Sequence, residues 1–327
     1  MNAYPFRSLS FFLLLTIGTP LILLLCLSLG DEWVSIGNWY KLLLGNGDTL
    51  QREIILKLRL PRLLNALGVG ALLALSGTLM QVLLRNPLAD PYVLGVSGGA
   101  TIGSLMAFLL GFSGLWFHLS TTIGAIVSIS ILFLLASQSA VYSTERLLLT
   151  GIVLAAGWSA LTSFVLVLAP AAYTKGMLYW LMGDLSYGTS GVYVILIAMA
   201  ALILCLPYLK VLNLLVSGDL TASALGVSVK SIRVQLYFFT SILTAIAVII
   251  AGPIGFIGLV VPHMTRLIVG GNHQYLVPTA MWFGALYLGL ADSIARSLLS
   301  PQQLPSGVIT ALLGIPIFLL LLIRSQK

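Results

Sequence analysis

Apolar runs about as long as a bilayer is thick follow one another along almost the whole chain, and no motif constrains the fold as much. They cover residues 9–29, 60–84, 92–110, 119–137, 147–168, 192–209, 234–251, 255–269, 277–295 and 307–323. A helix needs about 20 apolar residues to cross the hydrocarbon core, where every backbone N–H and C=O must be paired inside the protein. Ten such runs predict an all-α polytopic membrane protein with about ten transmembrane helices, a single domain over residues 1–327. Hydrophobic residues make up 59% of the chain and charged residues only 8%, against roughly 25% charged in soluble domains. So few charges cannot cover a water-facing surface, which excludes a soluble enzyme, a secreted disulfide scaffold and a disordered chain. The first run is too long for the apolar core of a signal peptide, about 7–15 residues, and Gly30-Asp31-Glu32-Trp33 follow it where a cleavage site would stand. It reads as an uncleaved helix that tolerates Pro20. Cys26 and Cys205 lie in apolar runs and read as small buried hydrophobes. Residues 173–187 combine bulky apolar side chains with Lys175 and Asp184 and read as an interfacial helix.

An even number of spans puts both termini on one side, and the lysine and arginine bias places that side in the cytoplasm. Arg7, Arg85, Arg146, Lys210, Lys230, Arg233, Arg266, Arg324 and Lys327 then face inward. Lys41, Arg52, Lys57, Arg59, Arg62, Lys175 and Arg296 face outward. Five of these outer charges fall between Lys41 and Arg62, so part of the net charge of +7 is an outward cluster that works against the rule. Contact with lipid headgroups accounts for it, and so does a docking surface for an acidic partner.

The chemistry that is missing narrows the function. The chain has no GxxxxGK[ST] phosphate loop, no HExxH and no CxxC, and His118, His263 and His273 are far apart in sequence. A membrane enzyme is therefore unsupported, no cofactor is implied, and nothing points to nucleic acid. Asp31, Glu32, Asp48, Glu53, Asp90, Glu145, Asp184 and Asp219 fall in loops or at span ends, and Asp292 stands four residues before Arg296 near the end of the ninth run. Ion-coupled carriers place ionisable groups at the bilayer midplane. A bundle without them, if it moves cargo uphill, takes its energy from another chain.

Several short motifs occur in a fixed order. Arg59-Leu60-Pro61-Arg62 opens the second run, and Arg85-Asn86-Pro87-Leu88-Ala89-Asp90-Pro91 follows it, continuing as Leu94-Gly95-Val96-Ser97-Gly98-Gly99-Ala100. Gly252-Pro253-Ile254-Gly255-Phe256-Ile257-Gly258 leads to Pro262-His263 and Arg266, and Leu290-Ala291-Asp292-Ser293-Ile294-Ala295-Arg296 comes later. Read singly, these are helix starts, turns and small-residue packing surfaces. Together, from about Trp33 to the C-terminus, the chain resembles the FecCD-type permeases, the membrane subunits of ABC importers for iron–siderophores, haem and cobalamin.

The resemblance implies a type II importer fold and a homodimer with the substrate path along its two-fold axis. It also implies two ATP-binding cassette subunits at the cytoplasmic face and a periplasmic substrate-binding protein. The positions matching the family's docking arginines are Arg59, Arg62 and Arg296, with Asp292 at i,i+4 to Arg296 and able to orient it. The segment matching the coupling helix runs over about residues 210–230, with Gly218, Asp219, Ala222, Ala224, Leu225 and Gly226 at its centre. Its small side chains suit a compact helix in a groove. Ser143, Thr144 and Glu145 match the cytoplasmic gate, although Glu145 departs from the small hydroxyl residues of the cobalamin importers. The expected cargo is a metal chelate, ferric siderophore or haem, with cobalamin the alternative and an autonomous carrier or channel the reading from another class. Runs two to five and seven to ten are offset by five, an odd number, so two related halves would be inverted in the membrane.

Overall fold

The structure is a computed structural model that describes residues 4–30, 33–35, 38–39, 49–137, 144–187 and 191–325. Among the described residues it is helical, with β-type pairing confined to the isolated Leu299–Gln302 bridge. The helices are α1 (Tyr4–Ser28), α2 (Leu60–Leu83), α3 (Val96–Leu109), α4 (Leu115–Ser137), α5 (Thr144–Leu168), α6 (Ala171–Leu181) and α7 (Gly191–Cys205). They continue as α8 (Leu209–Val216), α9 (Asp219–Ala224), α10 (Val229–Ala251), α11 (Ile257–Val269), α12 (His273–Ser297) and α13 (Ser306–Ser325). Each of the ten apolar runs coincides with one of these, and the interfacial segment contains α6, whose Met177 and Trp180 are fully buried.

Among the described residues, five helical stretches are long and apolar enough by themselves to cross a membrane: Thr49–Leu83, Leu115–Leu135, Leu148–Leu168, Gly191–Val216 and Val229–Ala251. The third run, expected as a full span, is helical over only 14 residues, and the eighth, expected to be short, over 13, or roughly 20 Å at 1.5 Å per residue. The cause is local. A 3₁₀ turn, Pro91–Leu94, and the left-handed Gly95 precede α3, while Gly252 and Phe256 both take positive φ ahead of α11. Non-helical backbone at membrane depth is tolerated only where protein satisfies it. Here the two entry segments satisfy each other, since the Tyr92 hydroxyl donates to the Ile254 carbonyl at 3.1 Å and accepts from the Ile254 N–H at 3.0 Å. These are the corresponding members of the two proposed halves.

The second run forms the central post. In its most apolar window 94% of residues are buried, against 6% for the α5 window, and α2 packs on α7, α10, α11 and α12. Lipid tails are as apolar as leucine, so helices in a membrane associate through close packing and interhelical hydrogen bonds, which small residues permit. A β-carbon on Gly70 would fall on the carbonyl of Gly284 in α12, and one on Gly77 on the carbonyl of Gly258 in α11. Between these contacts Ser76 and Thr244 share a 2.7 Å hydroxyl bond to α10, and Gln81 Nε2 donates to the Leu259 carbonyl at 3.1 Å.

Replacing Gly77 by alanine should therefore force α2 and α11 apart and sharply reduce the monodisperse yield and melting temperature in detergent. Gly18 of α1 has open space where its β-carbon would stand, and Gly18→Ala should leave both unchanged. Size-exclusion fluorescence and thermal melts compare the two.

Candidate functional sites at the two ends of the central helix

Arg62 lies in the first turn of α2 and Arg85 just beyond its last, so the two are separated by a helix of about 36 Å. Each organises an ionic cluster.

At the Arg62 end the centre is Asp292, in the last turns of α12 and almost wholly buried. Arg62 Nε donates to both of its oxygens at 3.0 and 3.1 Å. Arg296 Nε donates to Oδ2 at 3.1 Å, and the Ser306 hydroxyl to Oδ1 at 2.6 Å. Arg62 Nη1 also donates to Ser186 Oγ at 2.8 Å and Gln303 Oε1 at 3.0 Å, with Asp184 at 3.9 Å from Nη2. A single carboxylate thus joins α2, α12 and α13, and Arg296 continues to α1 by donating to the Cys26 carbonyl at 3.3 Å. The i,i+4 relation between Asp292 and Arg296 is as the spacing indicates, and Arg62 joins from another helix.

The resemblance implies that Arg59, Arg62 and Arg296 act together as docking residues, and the structure gives them different surroundings. Arg59 and Arg296 are each only 5% exposed. Arg59 ends a π-helical lead-in, Ile54–Arg59, and its Nη1 donates to the carbonyls of Leu27 and Ser28 at 2.8 and 3.1 Å. Those carbonyls belong to the last turn of α1, where the helix leaves them without intrahelical partners and its dipole favours a cation. Arg62 alone of the three lines the open cavity of ≈ 600 Å³ at this end, together with Lys175, Tyr179, Asp184, Gln302 and Gln303. Lys41, with which the outward cluster begins, lies outside the described residues.

At the other end, α9 is a six-residue helix between two glycines of positive φ, Gly218 (118°) and Gly226 (84°). Ala222 is fully buried and faces the bundle, while Ala224, Leu225 and Leu220 are exposed, Leu220 by 89%. The small side chains were expected in a partner's groove; Ala222 instead seats the helix on its own chain, and two leucines form the apolar tip. Asp219 Oδ1 accepts from Arg85 Nη2, and from Arg233 Nη2 of α10 at 3.0 Å. Arg85 has φ 47°, in a region that strains a residue with a β-carbon by on the order of 1–3 kcal/mol. It stands where helix ends ordinarily use glycine, with Arg85 N–H bonded to the Val82 carbonyl and Asn86 N–H to the Gln81 carbonyl, both at 3.2 Å. Nothing in the sequence announces the pairing of Asp219 with residues 134 and 14 positions away. For the predicted gate, Ser143 lies outside the described residues, and Thr144 and Glu145 open α5 with side chains that do too.

A bundle of apolar helices, two short helices whose irregular entries meet inside it and charged clusters at opposite ends of one post fit a membrane transport permease. The chain belongs to the FecCD transport family, whose model matches residues 17–324. It is similar to the vitamin B12 import system permease protein BtuC of Shigella boydii, 37% identical over 98% of this chain and 97% of that protein. It is likewise similar to the molybdate import system permease protein MolB of Haemophilus influenzae, 37% identical over 86% of this chain and 84% of the other. A solved structure, described as an inward-facing conformation of an ABC transporter assigned to the metal-chelate type, matches with a TM-score of 0.85 and 34% identity over 98% of this chain and 100% of that one. The fold is that of type II ABC importer permeases.

Removing the Asp292 carboxylate leaves the buried Arg296 without its anion, a loss of about 3–5 kcal/mol where a buried pair is broken, while Arg62 keeps Ser186 and Gln303. Asp292→Ala should accordingly lower the melting temperature in detergent well beyond Ser306→Ala, which removes one hydrogen bond of about 1 kcal/mol. Thermal melts of the two variants side by side check the ranking.

Proposed function

We propose that the chain is the membrane subunit of a binding-protein-dependent ABC importer that carries a metal chelate, a ferric siderophore or haem, across the bacterial inner membrane. The observation that carries the reading is the separation of two distinct sites by one buried helix: the Arg62 cavity and the exposed α9 tip. An importer must receive cargo at one face and mechanical work at the other. In this reading the Arg62 end faces outward and receives acidic side chains of a periplasmic binding protein, with the exposed Lys175 beside it as a second cation. The α9 end faces the cytoplasm, both termini lie there, and Leu220 and Leu225 enter a groove of a separate ATP-binding subunit. Hydrolysis of ATP belongs to that partner. Two copies of the permease form a homodimer, a reading supported by α5, whose apolar window is 6% buried and whose Gly157 leaves room for a close neighbour. Thr144, Glu145 and Ser143 at the head of α5 form the inner gate.

A second cargo, cobalamin, is favoured by the similarity to the Shigella boydii vitamin B12 permease over 98% of this chain. Proteoliposomes holding the complete complex decide between them. Uptake of ferric siderophore or haem at least tenfold above cobalamin is the expected result, and the reverse order reassigns the cargo. Uptake by the purified permease without an ATPase overturns the importer reading in favour of a carrier or channel.

Lys175→Glu reverses a cation at the cavity without touching the Asp292 hub, and should weaken binding-protein capture by about tenfold with a steep salt dependence. Leu220→Arg should abolish co-purification of the ATP-binding subunits while leaving that capture intact. Surface-plasmon titrations and pull-downs from detergent read the two effects separately.

A further inference from the structure

We propose that the ion triad Arg85–Asp219–Arg233 is the tie that makes α9 move as one body with α2 and α10, with Arg85 its positioning residue. The inference rests on the importer reading of the α9 end and adds to it a path for the applied displacement.

Two independent observations carry it. The first is how loosely α9 is otherwise held. It is six residues long and jointed at both ends by glycines in the left-handed half of backbone space, and Gly226 has open space around it. Its buried side chain is Ala222. A helix attached in this way would turn about its glycine joints when pushed, and the displacement would be absorbed locally. The Asp219 carboxylate prevents that by accepting from two guanidinium groups on different helices, Arg85 directly after α2 and Arg233 near the start of α10. Hydrogen bonds between charged groups are directional and stronger than neutral ones. One oxygen atom therefore fixes α9 relative to the central post and to the helix that follows it.

The second observation is the backbone at Arg85. The end of α2 carries both hydrogen bonds of the closure that glycine normally completes, and its left-handed position is filled by arginine. Glycine would close the helix without strain. The closure uses only the backbone of residue 85, so its side chain is what the position requires, and that side chain ends on Asp219.

This supplies a variant in which structure and coupling part company. Arg85→Gly removes the guanidinium, relieves the backbone and leaves Asp219 paired with Arg233, so the chain folds with an unchanged or higher melting temperature. Nitroxide labels at Leu88→Cys and Leu220→Cys report the tie in the permease alone; both positions are exposed, and the native Cys26 and Cys205 are buried. The expected result is a narrow distance distribution in the parent, at least twofold broader in Arg85→Gly and restored toward the parent width in Arg85→Lys. In the complete complex, Arg85→Gly should retain recruitment of the ATP-binding subunits within about twofold and lose at least fivefold of the hydrolysis stimulated by loaded binding protein. An unchanged distance distribution overturns the tie whatever the ATPase does, as does full stimulated hydrolysis in Arg85→Gly. Failure of the parent permease to recruit any ATP-binding subunit overturns instead the importer reading on which the transmission role rests.

Discussion

The contact on which the rest of the structure depends is backbone against backbone along α2, where Gly70 meets Gly284 and Gly77 meets Gly258. In lipid there is little hydrophobic gain from burying one leucine against another, so cohesion comes from surfaces that fit closely and polar groups that find partners. Glycine at these positions lets α11 and α12 approach the post closely. Gln81 then reaches the Leu259 carbonyl of α11, and Ser76 and Thr244 add a hydroxyl bond between the post and α10. The same close approach makes two half-length helices possible, because their irregular entries lie inside protein and meet at the Tyr92 hydroxyl.

The central post also explains where the charges are. A guanidinium is tolerated near the end of a spanning helix when a carboxylate or open carbonyls meet it. The Arg62 end uses both solutions, with Asp292 between two arginines and the last carbonyls of α1 beneath Arg59. The Arg85 end is more open, and its triad sits partly in water. One end is therefore a rigid, largely neutralised hub, and the other is a hinge region whose stiffness depends on an ion pair that solvent can reach.

Much of this was legible in the sequence, for identifiable reasons. Run length and composition carry the helical class and the number of apolar helices, because only helices and closed barrels satisfy their backbone in lipid and runs of about 20 residues are too long for barrel strands. The glycine-bounded short helix was readable from Gly218 and Gly226, and the Asp292–Arg296 pairing from helical spacing. The shortening of the third run was not, since apolar content alone does not distinguish a helix from irregular backbone shielded by other helices. The fate of Arg59 was also hidden: the family resemblance groups it with Arg62, and a π-helical entry ends with its guanidinium on the last carbonyls of α1. The triad at Asp219 joins residues remote in sequence, and no local pattern encodes such a contact.

Placing Arg62 in the hub has a consequence for how any acidic partner engages this end. Arg62 already makes hydrogen bonds to Asp292, Ser186 and Gln303, so an incoming carboxylate cannot claim it without competing against bonds the chain makes with itself. Such competition is close to balanced energetically, because one charge-assisted hydrogen bond replaces another. In the proposed docking, Arg62 would therefore add little net affinity by itself, and Lys175 at the rim would supply a second cation. The effect of the exchange would be mechanical. Each bond drawn away from Asp292 would loosen α2 from α12 at this end, while Arg296 and Ser306 keep the carboxylate paired. Docking chemistry and bundle cohesion would then be opposed at a single side chain, so that an event at the surface could alter helix packing below it.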